Sequence, residues 1–163
     1  MHRSREKGYW ESFDDIDGLG HECWCILQDR KSNIWIGTRN GLSSYNGSGF
    51  SNFTDEDGLA YSYIWSIHQD RDGNIWVGTT RGLSRYDGRD FVNFTYQDGL
   101  TGDNILCIYQ DGKGSIWIGI WGGGVCCYDG NEFVNYNTEH GLAHNNVLDI
   151  IEDREGSLWL ACC

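Results

Sequence analysis

The chain has 163 residues and a formal net charge of −12, with eight Trp, nine Tyr, six Phe and 23 Gly but one Met and no Pro. A chain this acidic is poorly suited to bind nucleic-acid phosphates, and it has no apolar run long enough to cross a membrane. Its aromatic and glycine content is typical of strands joined by tight turns, so we predict a single all-β domain over residues 1–163.

The N-terminus combines a basic segment with a candidate strand. The opening MHRSREK lacks the apolar stretch of a signal peptide, and we expect a disordered start or an expression remnant. The following segment, residues 9–19, aligns with the last strand of the later repeats, because Phe13 corresponds to Phe53 and the DGL at 17–19 to the DGL at 57–59. The chain is therefore predicted to open with an outer strand.

A repeat occupies the rest of the chain. Four Trp residues stand 41 or 42 residues apart, a period typical of propeller blades, and they are Trp35, Trp76, Trp117 and Trp159. Around each Trp, short segments rich in β-branched and aromatic residues alternate with Gly, Asp and Asn. We predict a β-propeller of four-stranded antiparallel blades with the repeated Trp filling the seam between blades, in units at about 20–59, 60–100, 101–142 and 143–163.

The link between the first two strands of each unit has the composition of a hairpin turn. In DRDGN, residues 70–74, Gly73 can adopt a positive φ, and in the first unit we expect Ser32 or Asn33 to carry that geometry. The oxygen-bearing side chains of this link also alternate as calcium ligands do. However, the bidentate Glu of a calcium loop is missing, so the turn interpretation is favoured over a metal site.

Cysteine and histidine patterns do not indicate a metal site or a cofactor. The seven Cys include no CxxC spacing, and the adjacent CC pairs on strands point to opposite faces, so we expect small apolar side chains in strands. His140 and His144 are four residues apart, but Gly141 interrupts the segment and no third ligand is evident. We therefore predict neither a cofactor nor a metal.

The repeated motif resembles a known family. The pattern I-x-Q-D-x-x-G-N-I-W-x-G-T-x-x-G-L-S-x-Y-D-G, followed by F-x-N-F-T-x-x-D-G-L, is similar to the two-component regulator propeller repeat. The resemblance spans residues 9–162 and is strongest over residues 61–100. It implies the sensor part of a two-component signalling protein, located in the periplasm or elsewhere outside the cytoplasm, with an oligosaccharide or small-molecule ligand. The missing signal peptide leaves a cytoplasmic location open.

The two ends of the sequence predict an incomplete ring. The last unit has its first two strands, could take its fourth strand from the N-terminus, and lacks a third strand. An open arc would expose an apolar blade face at each end, which soluble monomers rarely tolerate. We therefore expect either a fragment of a larger protein or self-association, for example a homodimer in which a second chain completes an eight-bladed ring.

The links that join strand four to the next blade, and strand two to strand three, should lie on one face of the propeller. Loops on a rigid scaffold are common binding sites, and the candidate ligand-binding residues in these links are Arg39, Tyr63, Arg81, Asp103, Trp121 and His144. Arginine could pair with the acidic group of a sugar, and an aromatic side chain could stack on a sugar ring. The alternative is that each residue is a solvated loop residue or packs in a seam.

Three functions remain open from the sequence. A non-catalytic ligand-binding module is favoured, because the sequence contains no nucleophile elbow and no readable pair of catalytic carboxylates. A scaffold for protein partners is the first alternative. A propeller lyase with His144 or His21 as the base is the second, since fold alone does not determine function.

Overall fold

Antiparallel sheets make up nearly all of the computed structural model, which describes residues 1–3 and 10–163. Three complete blades are four-stranded, and their strands are hydrogen-bonded in chain order. The all-β prediction and the four-stranded antiparallel blades are thus confirmed. The strands are β1 (His2–Arg3), β2 (Glu11–Ser12), β3 (Cys23–Gln28), β4 (Ile34–Thr38), β5 (Gly41–Tyr45), β6 (Phe50–Phe53), β7 (Ile64–Gln69), β8 (Ile75–Thr79), β9 (Gly82–Tyr86), β10 (Phe91–Phe94), β11 (Ile105–Gln110), β12 (Ile116–Ile120), β13 (Gly124–Tyr128), β14 (Phe133–Tyr136), β15 (Val147–Glu152) and β16 (Leu158–Cys162).

The blades form an open arc and not a closed ring. Strands β3–β6, β7–β10 and β11–β14 are the first, second and third blades, and β15 and β16 form a two-stranded sheet at the C-terminal end. At the N-terminal end β1 pairs with β2, so the opening segment contains a strand where we expected a disordered start or a remnant. The rest of that segment, and the first residue of the predicted outer strand 9–19, lie outside the described residues.

The repeated Trp fills the seam between blades in the interior of the arc. Trp35 and Trp76 are 6% and 2% exposed, whereas Trp159 is 63% exposed. Trp76 lies 5.7 Å from Phe94 of its own blade and 5.8 Å from Tyr128 of the next blade, measured between ring centroids. The prediction of a Trp in every seam does not hold for Trp159, whose indole is not covered by another blade among the described residues.

The hairpin turn is organised by an aspartate that accepts a hydrogen bond from the indole six residues later. Asp70 accepts from the Trp76 indole at 2.8 Å and from the side chain and backbone of Asn74. The same carboxylate-to-indole bond recurs in the other units at Asp29, Asp111 and Asp153. Ser32 has a φ of 68°, as expected from its place in the turn. These hydrogen bonds give the first aspartate of each turn a structural role.

Glycines on the second strand allow the next blade to approach closely. A Cβ added at Gly78 would lie 2.7 Å from Ile105 Cγ2 of the third blade and would collide with Ser66 Oγ. We expect Gly78→Ala to lower the free energy of unfolding by about 1–3 kcal/mol, since the collision forces neighbouring strands apart. Urea denaturation measures this, with Gly49→Ala as the control, because a Cβ at Gly49 meets no atom within 4 Å. Equal stability of the two variants would contradict the prediction.

Short 3₁₀ turns lead from each complete blade to the next. The first covers Asp55–Asp57 and is capped by Thr54, whose side chain accepts from the Glu56 amide. Gly58 ends it with a φ of 102°, and the following Leu59 is 3% exposed. Equivalent turns cover Tyr96–Asp98 and Thr138–His140. Leu59 and Leu100 are buried and anchor the first two links, so the residues after them enter the next blade at a fixed position.

All seven cysteines are free thiols, and their environments vary along the arc. Cys107 and Cys126 are buried, whereas Cys23 and Cys163 are exposed. Burial raises the pKa of the Cys25 thiol and of the Cys107 thiol to about 12, so both are protonated at neutral pH.

None of the helices within residues 1–3 and 10–163 has the length and apolar character that a bilayer crossing requires.

Candidate functional site

The links predicted to carry a site lie together along one edge of the arc. Backbone hydrogen bonds join the link after strand two to the link before strand one, as between the Thr80 amide and the Tyr63 carbonyl at 3.1 Å. The Gly82 amide donates to the Asp103 carbonyl at 2.7 Å, which connects the second blade to the entry of the third. These bonds hold the loops in a continuous belt, and this belt is the surface on which we place the candidate site.

A polar groove of about 500 Å³ opens in this belt between the first and second blades. Two of the predicted residues, Arg39 and Tyr63, line it together with Asn40, Asp55, Tyr61 and Ser62. Ser62 donates to the Asp55 carboxylate at 2.5 Å, and this hydrogen bond lowers the pKa of Asp55. The groove therefore presents an ionised carboxylate, an amide, hydroxyls and a guanidinium at neutral pH.

The two arginines of the belt differ in their partners. Arg39 forms an ion pair with Glu22, with 3.2 Å between Nη1 and Oε1. The guanidinium of Arg81 lies 4.5 Å from the centroid of the Tyr61 ring. Within the described part of the chain, Arg81 has no carboxylate at ion-pair distance. Three predicted residues thus come together, two as lining residues and Arg81 through its contact with the lining residue Tyr61.

An aromatic cluster that the sequence analysis missed extends from the groove. The ring of Tyr63 lies 6.1 Å from Trp24 and 5.1 Å from Trp65, and the two indoles are 5.1 Å apart. Trp24 is 48% exposed. The Trp65 indole nitrogen is buried and has no hydrogen-bond partner among the described residues. The cluster provides an aromatic surface next to a polar groove, an arrangement that suits a ligand with both apolar and hydroxyl-bearing faces.

The position of the two tryptophans follows from a bulge in the innermost strand. The register of β3 against β4 shifts between Cys23 and Cys25, and that of β7 against β8 shifts between Ile64 and Ser66. Trp24 and Trp65 are therefore the extra residues, and a bulge redirects the side chain of the residue it inserts. The equivalent positions in the last two units hold Leu106 and Leu148, so the aromatic cluster is confined to the first two blades.

The other three predicted residues lie further along the belt and do not line the groove. Asp103 is exposed, and Trp121 is 54% exposed with its amide bound to the Asn104 carbonyl. His144 is exposed, and its Nδ1 accepts from the Asn146 amide at 3.1 Å. These residues stay candidates for a second contact region near the third blade.

No group of three or more His, Cys, Asp or Glu side chains in the described part of the chain could hold a metal ion.

The geometry defines a class of protein, an arc of a β-propeller with a loop belt on one edge. The chain belongs to the two component regulator propeller family, because the family model matches residues 17–40, 58–81, 99–122 and 141–163, together more than half of the chain. Each match begins in the link before an innermost strand and ends at or just after the second strand. A search of curated protein sequences found no match.

Solved structures with the same fold include an extracellular domain of a two component system and a component of a secretion system. One is the extracellular domain of BT3049, a hybrid two component system from B. thetaiotaomicron. It aligns with 98% of this chain at a TM-score of 0.83 and 22% identity. PorZ, a surface component of the type-IX secretion system of Porphyromonas gingivalis, aligns with a TM-score of 0.76, 16% identity and 96% coverage. The chain spans 23% and 27% of the lengths of these two structures.

A lyase shares the fold at lower similarity. Virginiamycin B lyase from Staphylococcus aureus aligns with a TM-score of 0.69 and 13% identity, over 86% of this chain and 49% of the lyase. Identities at these levels establish a common fold and do not transfer residue roles. The site must therefore be argued from the side chains of this chain.

Proposed function

We propose that this chain is a non-catalytic ligand-sensing propeller module and that the groove between its first two blades binds a carbohydrate-like ligand. The observation that carries the proposal is the aromatic cluster of Trp24, Tyr63 and Trp65 beside the polar groove. The similarity to the extracellular domain of a two-component system supports a location outside the cytoplasm and a role in signalling.

The chemistry of the groove matches that of a sugar. The C–H face of a pyranose packs on an aromatic ring, and its hydroxyl pairs bind carboxylates, amides and guanidinium groups. Tyr63 would supply the ring, while Asp55 and Asn40 would supply polar contacts. Arg81 is the better partner for an acidic group on the ligand, because Arg39 is already paired with Glu22.

Binding can be tested with a panel of neutral and acidic oligosaccharides. A ligand that binds only the folded chain raises the melting temperature in a saturable way. We expect Tyr63→Ala to weaken binding about tenfold, since loss of one stacking contact costs about 1.5 kcal/mol. We expect Arg81→Gln to weaken binding of acidic ligands only. Isothermal titration calorimetry measures both effects.

Tyr96→Ala is the matched control, because Tyr96 is an aromatic residue 74% exposed on a 3₁₀ turn and does not line the groove. An equal loss of affinity in the Tyr96 and Tyr63 variants would contradict the assignment of the groove. A protein partner retained on the immobilised chain, with no thermal shift for any sugar, would favour the scaffold alternative. Turnover of a polyuronide or cyclic peptide that His144→Ala abolishes would favour the lyase.

A further inference from the structure

The two ends of the arc are complementary halves of one blade. At the C-terminal end, β15 and β16 form the first two strands of a blade. At the N-terminal end, β1 pairs with β2 as a third strand pairs with a fourth, because the Met1 and Phe13 backbones exchange two hydrogen bonds of 2.8 Å where Leu42 pairs with Phe53 in the first blade. We propose that β15–β16 of one copy and β1–β2 of a second copy join into a composite blade, so that the chain assembles head to tail with itself.

The polar contacts of the internal seams show how such a junction is bonded. Arg30 of the first blade donates to the backbone carbonyls of Asp70 and Arg71, at 2.8 and 2.7 Å. Arg71 in turn donates to the carbonyls of Asp111 and Gly112, both at 3.0 Å. Each contact ties the turn of one blade to the same turn of the next blade.

Arg154 is the equivalent residue in the last sheet, and it makes no hydrogen bond within residues 1–3 and 10–163. The matching acceptors on the first blade of a second copy are the carbonyls of Asp29 and Arg30. A second contact of the seams is the bond from the Arg30 amide to the Gln69 side chain at 2.9 Å. Its counterpart across the junction is the bond from the Arg154 amide to Gln28, which is exposed.

The apolar faces at the two ends are the faces that neighbouring blades cover elsewhere. Ile26 on the first blade is 63% exposed, whereas the equivalent Ile108 and Ile150 are 9% and 3% exposed. A groove of about 330 Å³ runs along this face beside Ile26, and one of about 280 Å³ lies beside Trp159 on the last sheet. The two faces of a blade differ in shape. The face beside Trp159 on one copy therefore fits the face beside Ile26 on a second copy, and neither face fits the same face of another copy.

Two residues at the junction have complementary sizes, which indicates that the partner is a second copy of this chain. In the internal seams a glycine on the second strand faces a bulky residue at the start of the next blade, as Gly37 faces Ile64. The last sheet has Ala161 at the glycine position, and the first blade has Cys23 at the Ile64 position. The larger residue on one end is thus matched by a smaller residue on the other, as close packing requires.

Both residues of this exchange are exposed in the single copy. Each copy contributes three complete blades and two half blades, so two copies would supply a closed ring of eight blades if the rotation per blade allows closure. The composite blade is therefore the junction that a homodimer needs.

A disulfide across the junction tests the proposal. A Cβ built at Gly37 lies 3.2 Å from Ile64 Cβ, close to the separation of about 3.5–4.5 Å found in disulfides. Ala161→Cys, made together with Cys162→Ser and Cys163→Ser, should therefore form a covalent dimer through Cys23 under mild oxidation. We expect Cys23→Ser to remove that product on a non-reducing gel. Arg89→Cys, on an exposed turn of the second blade, should not form it.

Light scattering gives an independent test without any crosslink. We expect a dimer at high concentration, and we expect Arg154→Ala to raise its dissociation constant at least tenfold while Arg89→Ala, in an exposed turn, leaves it unchanged. A species of 18.5 kDa at every concentration would overturn the proposal. A crosslink that joins Ala161→Cys to Cys23 of the same chain would also overturn it, because the arc would then close on itself.

Discussion

Trp76→Ala is expected to lower the free energy of unfolding by about 3–5 kcal/mol, the range measured for large aromatic residues removed from cores. Trp76 is 2% exposed and packs between Phe94 of its own blade and Tyr128 of the next one. Removing the indole leaves a cavity in the seam and deprives the Asp70 carboxylate of a hydrogen bond. Urea denaturation followed by tryptophan fluorescence, with circular dichroism as a second probe, measures the change.

The repeat offers a matched control in Trp159→Ala. Trp159 occupies the same position in its unit but is 63% exposed, so little packing is lost. We expect a change below about 1 kcal/mol at concentrations where the chain is monomeric. Equal losses for the two variants would show that the seam contacts do not determine the stability of the arc. A loss for Trp159→Ala that grows with protein concentration would instead report the composite blade.

Much of the fold was predictable because each unit repeats the same local chemistry. Alternating β-branched and aromatic segments predicted the strands, and Asp, Asn and Gly predicted the turns between them. The bond from Asp70 to the Trp76 indole was not predicted, because it depends on how the turn orients two side chains six residues apart. The strand at His2–Arg3 was also missed, since two polar residues become a strand only through pairing with Glu11–Ser12.

The position of the candidate loops was predictable from the sequence, and the residues that line the groove between the first two blades were less so. Topology placed the loops on one edge, and the structure brings Arg39 and Tyr63 into one groove. Trp24 and Trp65 were missed because strict alternation along a strand assigns side chains to two faces, and a bulge breaks that alternation. A direct comparison of Trp24 and Trp65 with Leu106 and Leu148 is the signal that would have found them.

Asp29→Ala is expected to lower the free energy of unfolding by about 2–4 kcal/mol, because it leaves several donors without an acceptor. The Asp29 carboxylate accepts from the buried Trp35 indole at 2.9 Å and from the side chain and backbone of Asn33, both at 2.8 Å. Urea denaturation measures the loss. Asp153→Ala is the control, since Asp153 makes the same bond to an exposed indole that water can reach. Its loss should be much smaller, and equal losses would contradict the argument from burial.

The same carboxylate makes stability depend on pH in a defined direction. Burial opposes ionisation of Asp29, but hydrogen bonds from Trp35, Asn33 and the Lys31 amide outweigh it and lower its pKa below the ordinary value. A carboxylate with a lowered pKa contributes its full stabilisation above the unfolded-state pKa of about 3.9 and loses it as the pH falls through the folded-state pKa. The native chain should therefore lose part of its stability as the pH falls below about 4, and Asp29→Asn should lessen that loss, because an amide does not take up a proton there. Urea midpoints measured from pH 7 to pH 3 test this, and parallel curves for the two proteins would show that Asp29 is not responsible for the acid sensitivity.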